Sequence, residues 1–281
     1  MIKILDDGRC FLNYGPIQMT IDIEVKASKS EELERNVAEK VIKELQRMIP
    51  FIEEIKKNKI VSKNIKNKPE VLKKLISAVD NIEDKSYTLL AAVAGSFSEY
   101  ALEKALEIGG ERVIINNGGD IALKDINGRD IKVGIPLNNE SKEFLHLVIK
   151  ENDGVEGICT SGFGGRSFTK GIASTAVALS SKASISDICA TYIGNETNVE
   201  DESILRVKAE EIDSGTDLKG QLITVKVGNI TKKKKLEALL RGYNSAEELY
   251  NKKIINGSVI VVDNEVIMIP QNIAKIKNKE R

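Results

Sequence analysis

The stretch from Ile17 to Lys26 constrains the fold more than any other. Ile17, Met19, Ile21, Ile23 and Val25 alternate with Gln18, Thr20, Asp22, Glu24 and Lys26. A strict period of two places every apolar side chain on one face of a strand and every polar one on the other. Such a strand has one buried and one wet face, which suits an antiparallel sheet covered on a single side. The flanking sequence agrees. Ile2–Leu5, a turn at Asp6-Asp7-Gly8 and Cys10–Tyr14 read as a hairpin leading into it.

Further hairpin signals recur. Arg112–Ile115 is a short apolar strand that runs into Asn116-Asn117-Gly118-Gly119-Asp120, and Ile121–Lys124 continues beyond the turn. Asn127-Gly128 is a second turn, between the strands 121–124 and 131–135, with Phe144–Ile149 as a further strand. Val155–Cys159 and Ile172–Leu179 flank a glycine-rich loop, and Gln221–Val227 is another strand. Ser258–Val262 and Val266–Ile269 form the last hairpin, about Asp263-Asn264.

The helical segments are fewer. Ser28-Lys29-Ser30-Glu31 has capping-box spacing, ahead of a stripe of Leu33, Val37, Val41, Ile42 and Leu45 that ends at Pro50. Residues 56–68 read as a loop or frayed helix. Pro69 opens a helix with Val71, Leu72, Leu75, Ile76 and Val79 inward. Residues 88–108 form a helix whose beginning, Ala91-Ala92-Val93-Ala94-Gly95-Ser96, is made of small residues that let another element or a ligand come close. Lys232–Lys235 opens one short helix and Ser245–Glu248 another, and residues 196–213 are charged and weakly amphipathic. Irregular alternation of helices with several hairpins predicts an α+β fold, its mainly antiparallel sheets flanked by helices. Residues 1–270 read as a single domain and 271–281 as a disordered Lys-rich tail.

The chain has 281 residues, with 42 Lys+Arg balanced by 42 Asp+Glu, so bulk charge offers no argument for a nucleic-acid partner. No run of 18 apolar residues marks a membrane span, and the N-terminus lacks the pattern of a signal peptide. Cys10, Cys159 and Cys189, an odd number without Cys-x-x-Cys spacing, suit a reducing compartment, and a cytoplasmic location is expected. Alternating strands leave edges to cover, which is compatible with a homo-oligomer.

The chemistry concentrates between Thr160 and Thr191. Thr160-Ser161-Gly162-Phe163-Gly164-Gly165-Arg166-Ser167 is a loop whose glycines let backbone amides approach a ligand, with Arg166 as a partner for phosphate or carboxylate. Asp187 and Thr191 are four apart and share one helix face, either as an ordinary surface pair or as oxygen ligands of a hard cation such as Mg²⁺. Gly118, Gly119 and Asp120 make a sharp turn that serves either as a plain hairpin or as a source of free amides and a carboxylate. The single histidine, His146, reads as a strand residue.

Four segments occur in a definite order: Ala91-Ala92-Val93-Ala94-Gly95, Asn117-Gly118-Gly119-Asp120-Ile121, Ile158-Cys159-Thr160-Ser161-Gly162 and Ser186-Asp187-Ile188-Cys189-Ala190-Thr191. This succession resembles the ApbE-like superfamily, known for Mg²⁺-dependent, FAD-binding FMN transferases, and looks closest to its small cytoplasmic members in archaea and bacteria. The resemblance runs over residues 10–195 and more loosely to 270. It implies an ApbE-type fold related to the T-fold. It implies a flavin nucleotide, FAD or FMN, near Gly118, Gly119, Asp120, Thr160, Ser161 and Gly162, beside which Arg166 would hold phosphate by its own chemistry. It further implies Mg²⁺ at Asp187 and Thr191, with a backbone carbonyl near Val93 and Ala94, and a protein acceptor for the flavin. The chain departs from the transferases at two places. Ala94, Gly95 and Glu99 stand where they carry Lys-Gly and an Asp, and no histidine follows His146. The expected function is therefore Mg²⁺-assisted transfer or cleavage at a nucleotide pyrophosphate, with a binding protein that keeps the pocket and lacks transfer as the alternative. A third reading makes Cys159 or Ser161 a nucleophile.

Overall fold

The computed structural model describes residues 1–57, 68–137 and 143–278. Most of the 56–68 segment read as a loop lies outside them. In chain order the elements are β1 (Ile2–Ile4), β2 (Cys10–Tyr14), β3 (Ile17–Val25), β4 (Ser28–Lys29), α1 (Glu31–Met48), α2 (Ile52–Lys56), α3 (Glu70–Val79), α4 (Val93–Glu107), β5 (Arg112–Asn117) and β6 (Asp120–Asp125). Then follow β7 (Ile131–Pro136), β8 (Glu143–Ile149), β9 (Gly157–Ser161), β10 (Thr175–Ser180), α5 (Ala183–Glu196), β11 (Ile204–Lys208) and α6 (Ala209–Ile212). The chain ends with β12 (Leu222–Val227), α7 (Lys232–Asn251), β13 (Gly257–Val262), β14 (Glu265–Ile269) and β15 (Lys275–Asn278). Every strand pair whose register is defined is antiparallel, and the architecture is α+β.

Contacts cluster in two compact units. The first comprises Met1–Asp130, Lys150–Cys159 and Ser180–Ile188. Its strands follow the order β1-β2-β3-β5-β6-β9. Ile17, Met19, Ile21 and Ile23 of β3 are buried, as their alternation requires. The β5–β6 hairpin pairs Asn117 with Asp120, leaving Gly118 and Gly119 as a two-residue loop at φ +70° and +111°. Positive φ at both loop residues matches the right-handed twist of the flanking strands, and glycine adopts it without a steric cost. The segment is thus a two-residue hairpin turn.

Helix α1 differs from its predicted stripe. Val37 and Val41 are buried, but so are Glu34 and Glu44, while Leu33, Ile42 and Leu45 are only half-buried. Both glutamates are inside because each accepts a backbone amide: Glu34 Oε1 from Ile23 N at 3.0 Å and Glu44 Oε1 from Val71 N at 3.0 Å. The capping-box reading of Ser28–Glu31 also changes. Ser28 and Lys29 pair with β3 as β4, and Ser30, the residue before α1, makes no side-chain cap.

Burial, offset in part by the Ile23 amide, raises the Glu34 carboxyl from near 4.5 to about 7. A raised native pKa means that the folded protein binds the proton more tightly than the unfolded chain. The contribution is full below about pH 4.5 and is lost as pH rises through 7. Glu34→Gln is expected to flatten this dependence, so that its stability relative to wild type improves by about 2–3 kcal/mol between pH 5 and pH 8. Urea melts at the two pH values measure it, and parallel curves for both proteins would rule it out.

The second unit comprises Ile131–Ile149, Thr160–Leu179 and Cys189–Arg281. It contains the ordered strands β10-β13-β14, the pair β11-β12 and the three-stranded sheet β15-β8-β7. Two predicted short helices prove to be the single helix α7. Gly242 is an interior residue there, and a Cβ on it would come within 2.8 Å of the Thr197 side chain and 3.2 Å of Ile260. The charged 196–213 stretch contains β11 and α6. The tail expected to be disordered forms β15, with Ile276 opposite Leu145; residues 279–281 lie outside the described residues. No helix of the described residues is long and apolar enough to cross a membrane.

Candidate functional site

Three of the sequence-derived motifs meet in the first unit at the start of α4. The small residues there are explained by close packing. A Cβ on Gly95 would lie 2.3 Å from the Ala183 carbonyl oxygen and 2.6 Å from Asp187 Cβ, so α5 rests directly on the α4 backbone. That approach brings Asp187 to the helix end, where Gly95 N donates to its Oδ2 at 2.8 Å, and the Ala94 amide also supports the carboxylate. The residue before α4 is Ala92, which has no capping side chain. Asp187 supplies from α5 the acceptor that a local N-cap would normally provide.

The return contact is equally specific. Glu99 on α4 accepts from Ser184 N at 3.0 Å and Ser184 Oγ at 2.6 Å, in the first turn of α5. Its other oxygen accepts from Lys74 Nζ at 2.8 Å, and Lys74 also reaches Glu103 at 2.6 Å. The two helices therefore exchange carboxylates, each capping the other. The sequence signals did not identify this role for Glu99, because neither Lys74 nor Ser184 is near it in the chain.

Asp120 completes the cluster. The β5–β6 hairpin packs against α4, and Ser98 Oγ donates to the Asp120 carbonyl at 2.8 Å. Asp120 and Asp187 are 9% and 8% exposed, so two acids share a dry region. Burial first, and then the charge of Asp120, push the Asp187 carboxyl well above the usual range, although the Gly95 and Ala94 amides pull it down. Cys159 is fully buried beside them, donates to the Ala183 carbonyl at 3.2 Å, and is held well above an ordinary thiol pKa by burial, Asp120 and Asp187. Such a thiol is the reverse of an activated nucleophile, which removes Cys159 from the third sequence reading.

Thr160, Ser161, Gly162 and Arg166 belong to the second unit, as does Thr191. Thr191 lies one turn beyond Asp187 on α5 and is half-buried. Gly162 lies against β10's approach: a Cβ there would be 2.6 Å from the Ser174 carbonyl. Phe163 N donates to the Ala173 carbonyl at 2.7 Å, and Gly164, Gly165, Arg166 and Ser167 form an exposed turn. His146 is a β8 residue opposite Gly134 and Lys275, as its strand reading expected. Among the described residues no group of three His, Cys, Asp or Glu side chains is arranged to hold a metal ion.

Helices against mainly antiparallel sheets make this an ApbE-like α+β fold. It aligns with the crystal structure of the Pseudomonas stutzeri flavinyl transferase ApbE in its apo form over 89% of each chain, with a TM-score of 0.50 and 10% sequence identity, a likeness of fold. The family model described as AbpE bacteria matches residues 2–268, and the chain belongs to that family. It is 34% identical over 158 residues to a UPF0280 protein of Methanosarcina barkeri, covering 56% of this chain and 60% of the relative. It is 38% identical over 132 residues to a UPF0280 protein of Methanococcus aeolicus, covering 44% and 52%. In these matches the chain spans about half to three-fifths of the curated relatives' length.

Proposed function

We propose that this protein binds a flavin or similar nucleotide together with a divalent cation, Mg²⁺ by preference, and acts at the nucleotide's pyrophosphate. The observation that carries the reading is the pair of buried acids, Asp120 and Asp187, gathered at the N-terminus of α4. Two adjacent carboxylates in a dry site repel each other, and a hard cation with oxygen ligands relieves that repulsion. The donors fit such an ion in kind: Asp187 and Asp120 would hold it, and Thr191, one helical turn from Asp187, would add a hydroxyl. When bound, the cation supplies neutralisation of charge on phosphate oxygens. The α4 amides of Ala94 and Gly95 hold Asp187 in one orientation, so the carboxylate is placed for a cation at low entropic cost. Gly118, Gly119, Asp120, Thr160, Ser161, Gly162 and Arg166 carry the nucleotide-binding assignment.

A second reading, binding without transfer, draws support from the position of His146 on β8 and from the masked reactivity of Cys159, which leave the carboxylates as the acid–base groups of the first unit's cluster. Titration of FAD by flavin fluorescence, with and without Mg²⁺, tests both readings. We expect Mg²⁺-dependent saturation, weakened at least tenfold by Asp187→Ala and by Asp120→Asn in protein with an unchanged circular dichroism spectrum. Absence of FAD binding under either condition would sink the nucleotide reading. Binding without AMP release or protein flavinylation would favour the second. A protein acceptor and a homo-oligomer remain part of the proposal, to be read from flavinylation and from size-exclusion with light scattering.

A further inference from the structure

Asn117 lies at the end of β5, directly opposite Asp120 in the hairpin register. Opposed residues of an antiparallel pair project to the same face, so the carboxamide and the carboxylate stand side by side. That face is the one carrying Val113 and Ile115 into the core, and Asn117 itself is only 3% exposed. Its Nδ2 donates to the Ala94 carbonyl at 3.3 Å, in the first turn of α4. Its Oδ1 is buried and has no hydrogen-bond partner in the protein. The orientation is determined by the Ala94 contact, since the flipped amide would set two oxygens against each other. A polar atom buried in this way calls for a ligand, because nearly all buried acceptors are paired.

We propose that Asn117 Oδ1 is an oxygen ligand of the cation site formed by Asp120 and Asp187, an inference that rests on the cation reading above. Hard cations accept carboxylate and amide carbonyl oxygens alike. A neutral amide adds a third donor without adding a third repelling charge. The Nδ2–Ala94 bond holds the carboxamide rigid, so Asn117 positions the site as well as completing it. A carboxamide fixed beside two acids would supply a third oxygen donor where, among the described residues, no group of three His, Cys, Asp or Glu side chains is arranged to hold a metal ion.

Titration with Mn²⁺ alone, followed by the electron paramagnetic resonance signal of the free ion, tests this. Wild type is expected to bind saturably. Asn117→Leu, which keeps the size and removes the oxygen, is expected to raise Kd tenfold or more, and Asn117→Asp to restore binding. Thermal melts of the same proteins separate the two roles of the side chain. Asn117→Asp should melt lower than wild type without metal, yet show at least as large an upward shift with Mn²⁺. An Asn117→Leu protein that is folded and binds Mn²⁺ as wild type does overturns the assignment and leaves a purely structural bond to Ala94. If Asp187→Ala abolishes binding while Asn117→Leu does not, only the Asn117 assignment fails. If wild type binds no Mn²⁺, both the assignment and the cation reading fail.

Discussion

Gly95→Ala is expected to destabilise the protein by about 3 kcal/mol, although alanine is the better helix former by about 1 kcal/mol. The added Cβ would stand 2.3 Å from the Ala183 oxygen, 2.9 Å from its carbonyl carbon and 2.6 Å from Asp187 Cβ. Two of these three atoms are backbone, so no rotamer change relieves the clash and α5 has to withdraw from α4. Withdrawal lengthens the Gly95–Asp187 bond that ends α4 and disturbs the acid pair. The variant should therefore lose both denaturation midpoint in urea and Mg²⁺-dependent FAD binding. A Gly95→Ala protein within about 0.5 kcal/mol of wild type would show that the helices have room to move, against the close-packed account.

Glu99→Ala is expected to cost a similar amount, about 3 kcal/mol, by a different route. Glu99 is 8% exposed and its partner Lys74 14%. Removing the carboxylate leaves the Ser184 amide without its cap and leaves Lys74 with Glu103, whose side chain is 43% exposed. Burial works against the Lys74 charge, but Glu99 and Glu103 together hold its pKa above the ordinary value, so the ammonium remains charged and loses its better-buried counter-ion. Glu99→Gln, which keeps an acceptor for Ser184 and loses the ionic attraction, should fall between wild type and the alanine variant. A double-mutant cycle with Lys74→Ala isolates the pair, with a coupling of at least about 1 kcal/mol expected. A coupling near zero would mean that Glu99 acts through the α5 cap alone.

Both changes fall on α4 and α5, and both test the same design. Two helix ends that lack capping side chains of their own are closed by carboxylates from each other, and a third is closed in the same manner, where Glu44 of α1 accepts from Val71 of α3. The candidate site lies at one of these junctions. Its acids thus have a structural role: Asp187 accepts from the Gly95 amide of α4, and its neighbours Asp120 and Asn117 arrive on a hairpin whose turn only glycines form at low cost.

Local order was legible in the chain itself. The alternation from Ile17 to Val25, the Gly118-Gly119 turn, the helix beginning at Pro69 and the final hairpin about Asp263 all follow from backbone preference and from periods of two or 3.6, which need no distant partner. The ordered motifs at Ala94, Asp120, Thr160 and Asp187 were enough to point to the family, because spacing along a chain survives where its contacts are unknown. The tertiary structure alone decided what these residues touch. Glu44, Glu99 and Asp187 reach amides 27, 85 and 92 residues away, so no local rule reveals them as caps, and the burial of Glu34 and Glu44 contradicts the apolar stripe that periodicity assigns to α1. Likewise β11, β15 and the unbroken α7 form on charged or glycine-containing segments, where sheet pairing and close helix packing outweigh weak intrinsic preference. A buried carboxylate is stable only where amides or a cation meet it, and that meeting is a property of the folded arrangement.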